Sequence, residues 1–364
     1  MDESPRPTIS KSAATSAGRV LTKLYTEHPE DAEVRCQEDQ ISANALVTVQ
    51  NWRSQHLEPT LNAFAVARDI TTDIPGTLVT FRLKRISSIV AKLSRSKNDF
   101  RLGAMDDIGG CRIITNSCDD VFNIVTNLSK KMDLKPESGV KDYIRTPQRS
   151  GYRSYHLITL TPPTPTGYRV EIQVRTFLQH AWATALEAAG SMYERNYKNP
   201  AIAATMDESE KTNRRFFQIV SALFALSENQ PVPPGMSSDK NELLAELRAS
   251  EKYRALFHDL ANSSASSYQN FIPAPTAGGE GTSLYVLEYD QEAQSLRAEP
   301  FPHSALADAV RAYNDREEND VFGQTRDTVL VHAQTPENLA LAFPNYTANL
   351  DVFNRRIAPY FGEN

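Results

Sequence analysis

The chain has 364 residues, 40% hydrophobic and 23% charged, an ordinary globular composition with enough length for a sizeable core and two or three domains. A formal net charge of -6 argues against a protein that coats nucleic acid, but leaves room for a local basic site. Its three cysteines, Cys36, Cys111 and Cys118, show no CxxC spacing and support neither a disulfide framework nor a zinc knuckle.

Residues 1 to about 15 are polar, are expected to be loose, and lack the apolar h-region of a secretory signal. No apolar run approaches the ~20 residues that span a bilayer, so a soluble, cytoplasmic protein with no membrane contact is expected. From Ala14 to Arg68, AGRVLTKLY and NALVTVQNWRSQHLEPTLNAFAVARD repeat apolar residues every three or four positions, which predicts a helical N-terminal segment over 1–76. Pro75 and Gly76 end it. Residues 77–199 alternate helical stretches with the β-branched runs CRIIT, SYHLITL and YRVEIQV, the pattern of an α/β domain. TPPTPTG between the last two runs reads as a hairpin loop, so those strands should be antiparallel neighbours.

A helical extension follows over 200–262. KTNRRFFQIVSALFALSE carries Phe217, Val220, Leu223, Phe224 and Leu226 on one side, QPVPPG stops it, and NELLAELRASEKYRALFHDLA resumes helix. Residues 263–282 lie in a Ser-, Ala-, Pro- and Gly-rich stretch expected to be a linker. The last part, 283–364, is expected to be a small α/β piece, a structural cap on the sheet or a regulatory module: the strand LYVLEYD, a turn, a helix near Ala305 to Tyr313, the strand TVLVHA and a helix from Pro336. Trp52 and Trp182 are expected in the core.

The chemistry concentrates in four stretches. In RLKRISSIVAKLSRSKNDFR, Ile86, Ile89, Val90 and Leu93 fall at helical spacing and face inward. Ser87 or Ser88 can cap the helix, and Arg82, Lys84, Arg85 and Lys92 add charge to its start, which suits a polyphosphate. Alone, such a basic run is more often a solvated face. MDDIGGCRIIT places Asp106 and Asp107 before a Gly pair and a strand, where a carboxylate is a natural Mg²⁺ ligand. KDYIRTPQRSGYRSYHLITL interleaves Lys141, Arg145, Arg149 and Arg153 with Tyr143, Tyr152 and Tyr155, a pairing of cation and ring that can hold a nucleotide. VEIQVRT then aligns Arg169, Glu171, Gln173 and Arg175 on one strand face, so Glu171 can join Asp107 around a metal while Arg175 offsets their repulsion.

These motifs, in this order and spacing, resemble the RelA/SpoT alarmone synthetases. RLKxxxSIxxKL, MDDIGGCRI, YIxxPxxxGYRSYHL, VEIQVRT and HAWA all match, and the flanks are similar to those of some standalone members. The resemblance implies a mixed β-sheet flanked by helices, related to nucleotidyltransferases. It also implies Mg²⁺-dependent transfer of pyrophosphate from ATP to the 3′-OH of GDP or GTP, making the stringent-response alarmone (p)ppGpp. Arg82, Lys84, Ser88 and Lys92 resemble the ATP-phosphate loop, and Arg112 the arginine that stacks on adenine. Asp107 and Glu171 resemble the metal pair, with Glu171 placed to take the proton of the attacking hydroxyl. Tyr152 resembles the tyrosine that stacks on the acceptor base, and His156, Gln173 and Arg175 resemble acceptor-side contacts. A homo-oligomer is implied by analogy with standalone relatives, and a protein partner at the C-terminal region is left open.

The chain departs from the family at PQRSGYRSYH, where many synthetases read PKxNGYRSLH. Gln148 and Ser150 replace a lysine and an asparagine near the acceptor site. The acceptor therefore stays open. The tRNA 3′-CCA end or an adenine nucleotide, as in toxin-like and phage-defence relatives, is an alternative, and a catalytically silent nucleotide sensor is another. His258 and Asp259 read as a helix surface, with no hydrolase domain expected.

Overall fold

The computed structural model describes residues 8–28, 31–95, 101–160, 167–193, 207–267, 271–272, 282–290, 292–293, 295–319, 326–333 and 350–362. Its N-terminal helices are α1 (Lys11–Glu27), α2 (Ala32–Glu38), α3 (Gln40–Ser54) and α4 (Leu57–Thr71). Ser10 caps α1 by accepting from the Ala13 N–H, so helix starts inside the stretch expected to be loose. After Gly76, which turns the chain at φ +73, comes β1 (Leu78–Leu83), then α5 (Ile86–Arg95). The inward stripe of α5, Ile86, Ile89, Val90 and Leu93, packs with Leu21 of α1 and with Val49 and Trp52 of α3 in one cluster.

The remaining strands are β2 (Gly109–Thr115), β3 (Val140–Asp142), β4 (Tyr155–Leu160), β5 (Arg169–Thr176), β6 (Phe271–Ile272), β7 (Thr282–Asp290), β8 (Ser295–Pro302) and β9 (Arg326–Ala333). They form one mixed sheet in the order β3-β4-β5-β2-β1-β9-β7-β8-β6. The β2–β5 and β6–β8 pairs are parallel; the others, including the β4–β5 pair read from its loop, are antiparallel.

On one face of the sheet, α4, α6 (Cys118–Lys131) and α11 (Leu306–Asn319) cover Val79, Phe81, Ile172, Val174 and Leu330. The opposite face carries the polar residues of β5, because side chains alternate along a strand. Beyond β5, α7 (Phe177–Met192), α8 (Glu208–Ser227), α9 (Lys240–Ala249) and α10 (Glu251–Ser267) build a second, all-helical core around Trp182, Phe217 and Phe224.

The C-terminal part joins the same sheet. β9 sits between β1 and β7 in the middle of the sheet. The last described helix, α12 (Asp351–Phe361), inserts Phe353, Ile357 and Phe361 into the helical core. The expected linker is also shorter than its composition implies. Ser and Ala without Gly or Pro can continue a helix, and α10 runs on to Ser267 before Phe271–Ile272 pair with β8. The helix expected from Pro336 falls at 334–349, outside the described residues. Among the described residues, no helix is long and apolar enough to cross a membrane.

Candidate active site

The central strands β1, β2 and β5 turn one set of side chains into a cavity of about 540 Å³. Register explains the convergence: Arg112 lies opposite Gln173 and Thr80, while Gly110 lies between Arg82 and Glu171 and leaves the floor open. Five cationic side chains, Arg82, Lys84, Lys92, Arg112 and Arg175, line this space together with Asp107 and Glu171. Ser88 lines it too, but α5 begins at Ile86, so Ser87 and Ser88 occupy the first turn rather than the cap.

Asp107 is held asymmetrically. Its Oδ2 receives Lys84 Nζ at 3.0 Å and Lys92 Nζ at 2.8 Å. Its buried Oδ1 has no hydrogen-bond partner among the described residues. Burial pushes this carboxyl up, but the two ammonium groups outweigh it and hold Asp107 below the usual carboxylate range. For Lys84 the balance tips the other way: burial outweighs the attraction of Asp107, and its ammonium is held below the ordinary value. Asp106, the other half of the pair, turns away and is engaged by Lys135 at 2.9 Å and Arg169 at 2.7 Å. Of Arg169, Glu171, Gln173 and Arg175 on β5, then, the last three face the cavity and Arg169 does not.

Glu171 anchors a network. Oε1 accepts from His156 Nδ1 at 3.1 Å, and Oε2 accepts from Gln173 Nε2 at 2.7 Å. Arg175 Nη2 reaches Gln173 Oε1 at 3.5 Å, and His156 Nε2 lies 2.8 Å from the Tyr152 hydroxyl. Burial pushes the Glu171 carboxyl up, yet the His156 and Gln173 hydrogen bonds and nearby positive charge bring it down to about 2. Burial, followed by mutual repulsion among Arg82, Arg112 and Arg175, holds the Arg112 and Arg175 guanidiniums below their ordinary value. The Nε atoms of both are buried without a hydrogen-bond partner among the described residues. The site is short of anions.

Tyr152 reaches the wall, from a loop that turns at Gly151 with φ +95. Helix α8 holds that loop: Ser221 Oγ donates to the Gly151 carbonyl at 2.5 Å, and Gln218 Nε2 donates to that of Arg149 at 2.6 Å. Four expected acceptor residues are not on the wall. Tyr143 packs edge-on behind Tyr152 and His156, with ring centroids at 6.0 and 5.4 Å. His156 acts on the cavity only through Glu171 and Tyr152. Lys141 is exposed on the outermost strand, and the Arg149 side chain is exposed.

Gln148 and Ser150, read near the acceptor site, are on the wall, whereas Thr80, Glu187, Asp327 and Val329 were not foreseen as site residues. Glu187 had a readable signal, as the only acid in α7. Asp327 and Val329 had none, since only the pairing of β9 with β1 brings them here.

An α+β chain with an anion-seeking cavity and two carboxylates on the face of a mixed sheet is the class defined so far. The family model for the region found in RelA / SpoT proteins matches residues 81–199. GTP pyrophosphokinase YjbM of Bacillus subtilis (strain 168) is 33% identical over 145 residues, covering 38% of this chain and 68% of that protein. GTP pyrophosphokinase YwaC of the same organism is 40% identical over 111 residues, covering 28% of this chain and 52% of that protein, so the match spans about half of its length. The crystal structure of small alarmone synthetase 1 from Bacillus subtilis bound to its product pppGpp aligns at 26% identity and a TM-score of 0.39, covering 49% of this chain and 89% of that one. This chain belongs to the RelA/SpoT family.

Proposed function

We propose that the protein transfers the β,γ-pyrophosphate of ATP to the 3′-OH of GDP or GTP. The observation that carries the reading is the meeting of Asp107 and Glu171 in one cavity with a cationic cradle. The names of YjbM and YwaC agree with it.

Magnesium fits this donor set. Among the described residues no group of three or more His, Cys, Asp or Glu side chains can hold a metal, and Mg²⁺ needs only one or two carboxylates, completing its shell with phosphate oxygens and water. The unpartnered Oδ1 of Asp107 is the open ligand position, with Glu171 as the second. Bound there, Mg²⁺ supplies charge neutralisation for the triphosphate.

In this reading, Arg82, Lys84, Ser88 and Lys92 hold the phosphates and Arg112 faces the adenine. Tyr152 stacks on the acceptor base, while Gln173 and Arg175 keep Glu171 in place. The acceptor 3′-oxygen bonds to the β-phosphorus of ATP, the bond from that phosphorus to the α–β bridging oxygen breaks, and AMP leaves. Glu171 accepts the hydrogen bond of the attacking hydroxyl and receives its proton as the new O–P bond forms, then passes it to water. At about 2 its carboxyl is a weak base, so orientation is its main contribution, and phosphoryl transfer asks chiefly for positioning and charge stabilisation.

A second reading is favoured by Gln148 and Ser150, which line the cavity. Their departure from the residues of many synthetases fits a different 3′-OH, that of a tRNA end or an adenine nucleotide. The test is incubation with γ-labelled ATP and Mg²⁺ plus GDP, GTP, AMP or bulk tRNA. Label on GDP or GTP is expected. Label on AMP or tRNA selects the second reading, and no labelled product with any acceptor leaves a nucleotide-binding sensor.

A further inference from the structure

The family match ends at residue 199, but the cavity wall continues into β9 with Asp327 and Val329. β9 pairs with β1 through Thr80↔Val331 and Phe81↔Leu330. Continuing that antiparallel register sets Val329 beside Arg82 and Asp327 beside Lys84. The C-terminal part of the chain thus lies along the donor half of the cavity, away from Tyr152.

Asp327 is 5% exposed and spends both carboxylate oxygens on one partner. Arg85 Nε donates to Oδ1 at 3.1 Å, and Arg85 Nη2 pairs with Oδ2. Arg85 immediately precedes α5, whose first turns carry Ser88 and Lys92. A second tie reaches the same segment. Glu317 of α11 pairs with Arg53, and Arg53 donates from Nε to the Lys84 carbonyl at 2.8 Å and from Nη2 to the Leu83 carbonyl at 3.3 Å. The Tyr313 hydroxyl accepts the Leu83 N–H at 3.1 Å. Residues 83–85, between β1 and the phosphate-binding helix, are thereby gripped from α11 and β9.

We propose that Asp327 is a positioning residue for the donor triphosphate, fixing the amino end of α5 through Arg85. The C-terminal strand is then part of the donor half of the active site. This rests on the transferase reading. Without Asp327, the largely buried Arg85 guanidinium loses the carboxylate that engages it at two nitrogens. Its hold on the start of α5 loosens with that loss. The acceptor loop hangs from α8 instead and keeps its supports.

The test uses the full chain with Mg²⁺ and measures three things: calorimetric affinity for α,β-methylene-ATP, affinity for GDP, and the thermal midpoint. Asp327→Asn is expected to weaken the ATP analogue about tenfold and to leave GDP within about twofold. Asp327→Glu, which keeps the charge, should recover most of the loss. Because Asp327 acts through Arg85, the double variant Arg85→Gln/Asp327→Asn should be no weaker than the weaker single variant. Unchanged analogue binding in Asp327→Asn overturns the proposal. So does an equal loss for both ligands with a lowered midpoint, which marks general packing, and so do additive losses, which mark direct contact with the nucleotide. If Asp327→Asn does not fold, Arg85→Lys keeps the charge but loses the two-pronged geometry, and the same asymmetry is expected of it. Wild-type protein that binds no ATP analogue sinks the transferase reading itself, an outcome distinct from variants that bind like wild type.

Discussion

At Asp107 one carboxylate oxygen is neutralised twice and the other not at all, the asymmetry on which the proposed metal-ligand role rests. Asp107→Asn and Glu171→Gln preserve shape, so both should still fold and melt cooperatively, Glu171→Gln at a lowered midpoint because the stabilisation of its carboxylate is lost. Each should lose at least about a hundredfold in transfer rate, roughly 3 kcal/mol of barrier. Initial-rate assays beside melting curves check this, and near-normal turnover by either purified variant rejects the metal assignment. Glu171 also carries a pH signature. Its folded value of about 2 lies below the ordinary 4.5, so its stabilisation is complete above about pH 4.5 and fades as pH falls toward 2. Gly151 tests the loop. Its φ of +95 disfavours any side chain, and an added Cβ would sit 2.9 Å from Trp182 Cζ2 and 3.0 Å from Ser221 Cβ. Gly151→Ala should cost about 1–3 kcal/mol of stability and weaken GDP binding while sparing the ATP analogue, read by melting and calorimetry.

Under the proposed transfer, helix α8 serves the acceptor as α5 serves the donor, by holding carbonyls rather than phosphates. Gln218→Ala removes one such hold, and about fivefold in acceptor affinity should go with it, near 1 kcal/mol, with donor affinity unchanged. Binding titrations of the two nucleotides distinguish that from general loosening. What could be read in advance follows from how local each element's signal is. β5 was legible because Val170, Ile172 and Val174 alternate with polar residues, and α5 because its inward stripe is amphipathic. β1 was missed although Val79, Phe81 and Leu83 alternate with Thr80 and Arg82, because LVTFRL is a 6-residue run buried almost throughout. β8 was hidden by Pro300 and Pro302, which it tolerates because β6 pairs only with Leu296 and Arg297. Interleaved cations and rings marked the loop over 141–156, but could not say that Tyr152 faces the cavity while Tyr143 packs behind it. Asp327 reaches the site through strand pairing far along the chain, which no local pattern encodes.

Taken whole, the molecule couples its layers through buried neutral histidines and through its C-terminal strands. His56, packed between Trp52 and Tyr168, and His332 on β9 are each held near 4, first of all by burial. Between about pH 6.5 and 4 the unfolded chain binds protons that the folded one refuses, so stability is complete above about 6.5 and falls with pH, by up to about 3 kcal/mol per histidine. Urea midpoints should drop between pH 7 and 5, and His56→Phe should flatten that slope; an unchanged slope would reject a neutral His56. The C-terminal strands bear on a larger question. Had 283–364 been a separate piece, removing it would leave a working enzyme, altered at most in regulation. Yet β9 lies between β1 and β7, so truncation after residue 281 would expose the whole edge of β1. It would also strip Leu350, Phe353, Ile357 and Phe361 from the helical core. Losses of about 2–5 kcal/mol for each large core side chain reach the whole 5–15 kcal/mol that holds a domain folded. The 1–281 fragment should therefore aggregate or lack a cooperative melt by circular dichroism and size exclusion. A soluble fragment with the wild-type midpoint would show that β1 can stand as an edge strand, and that the C-terminal strands serve something other than the fold.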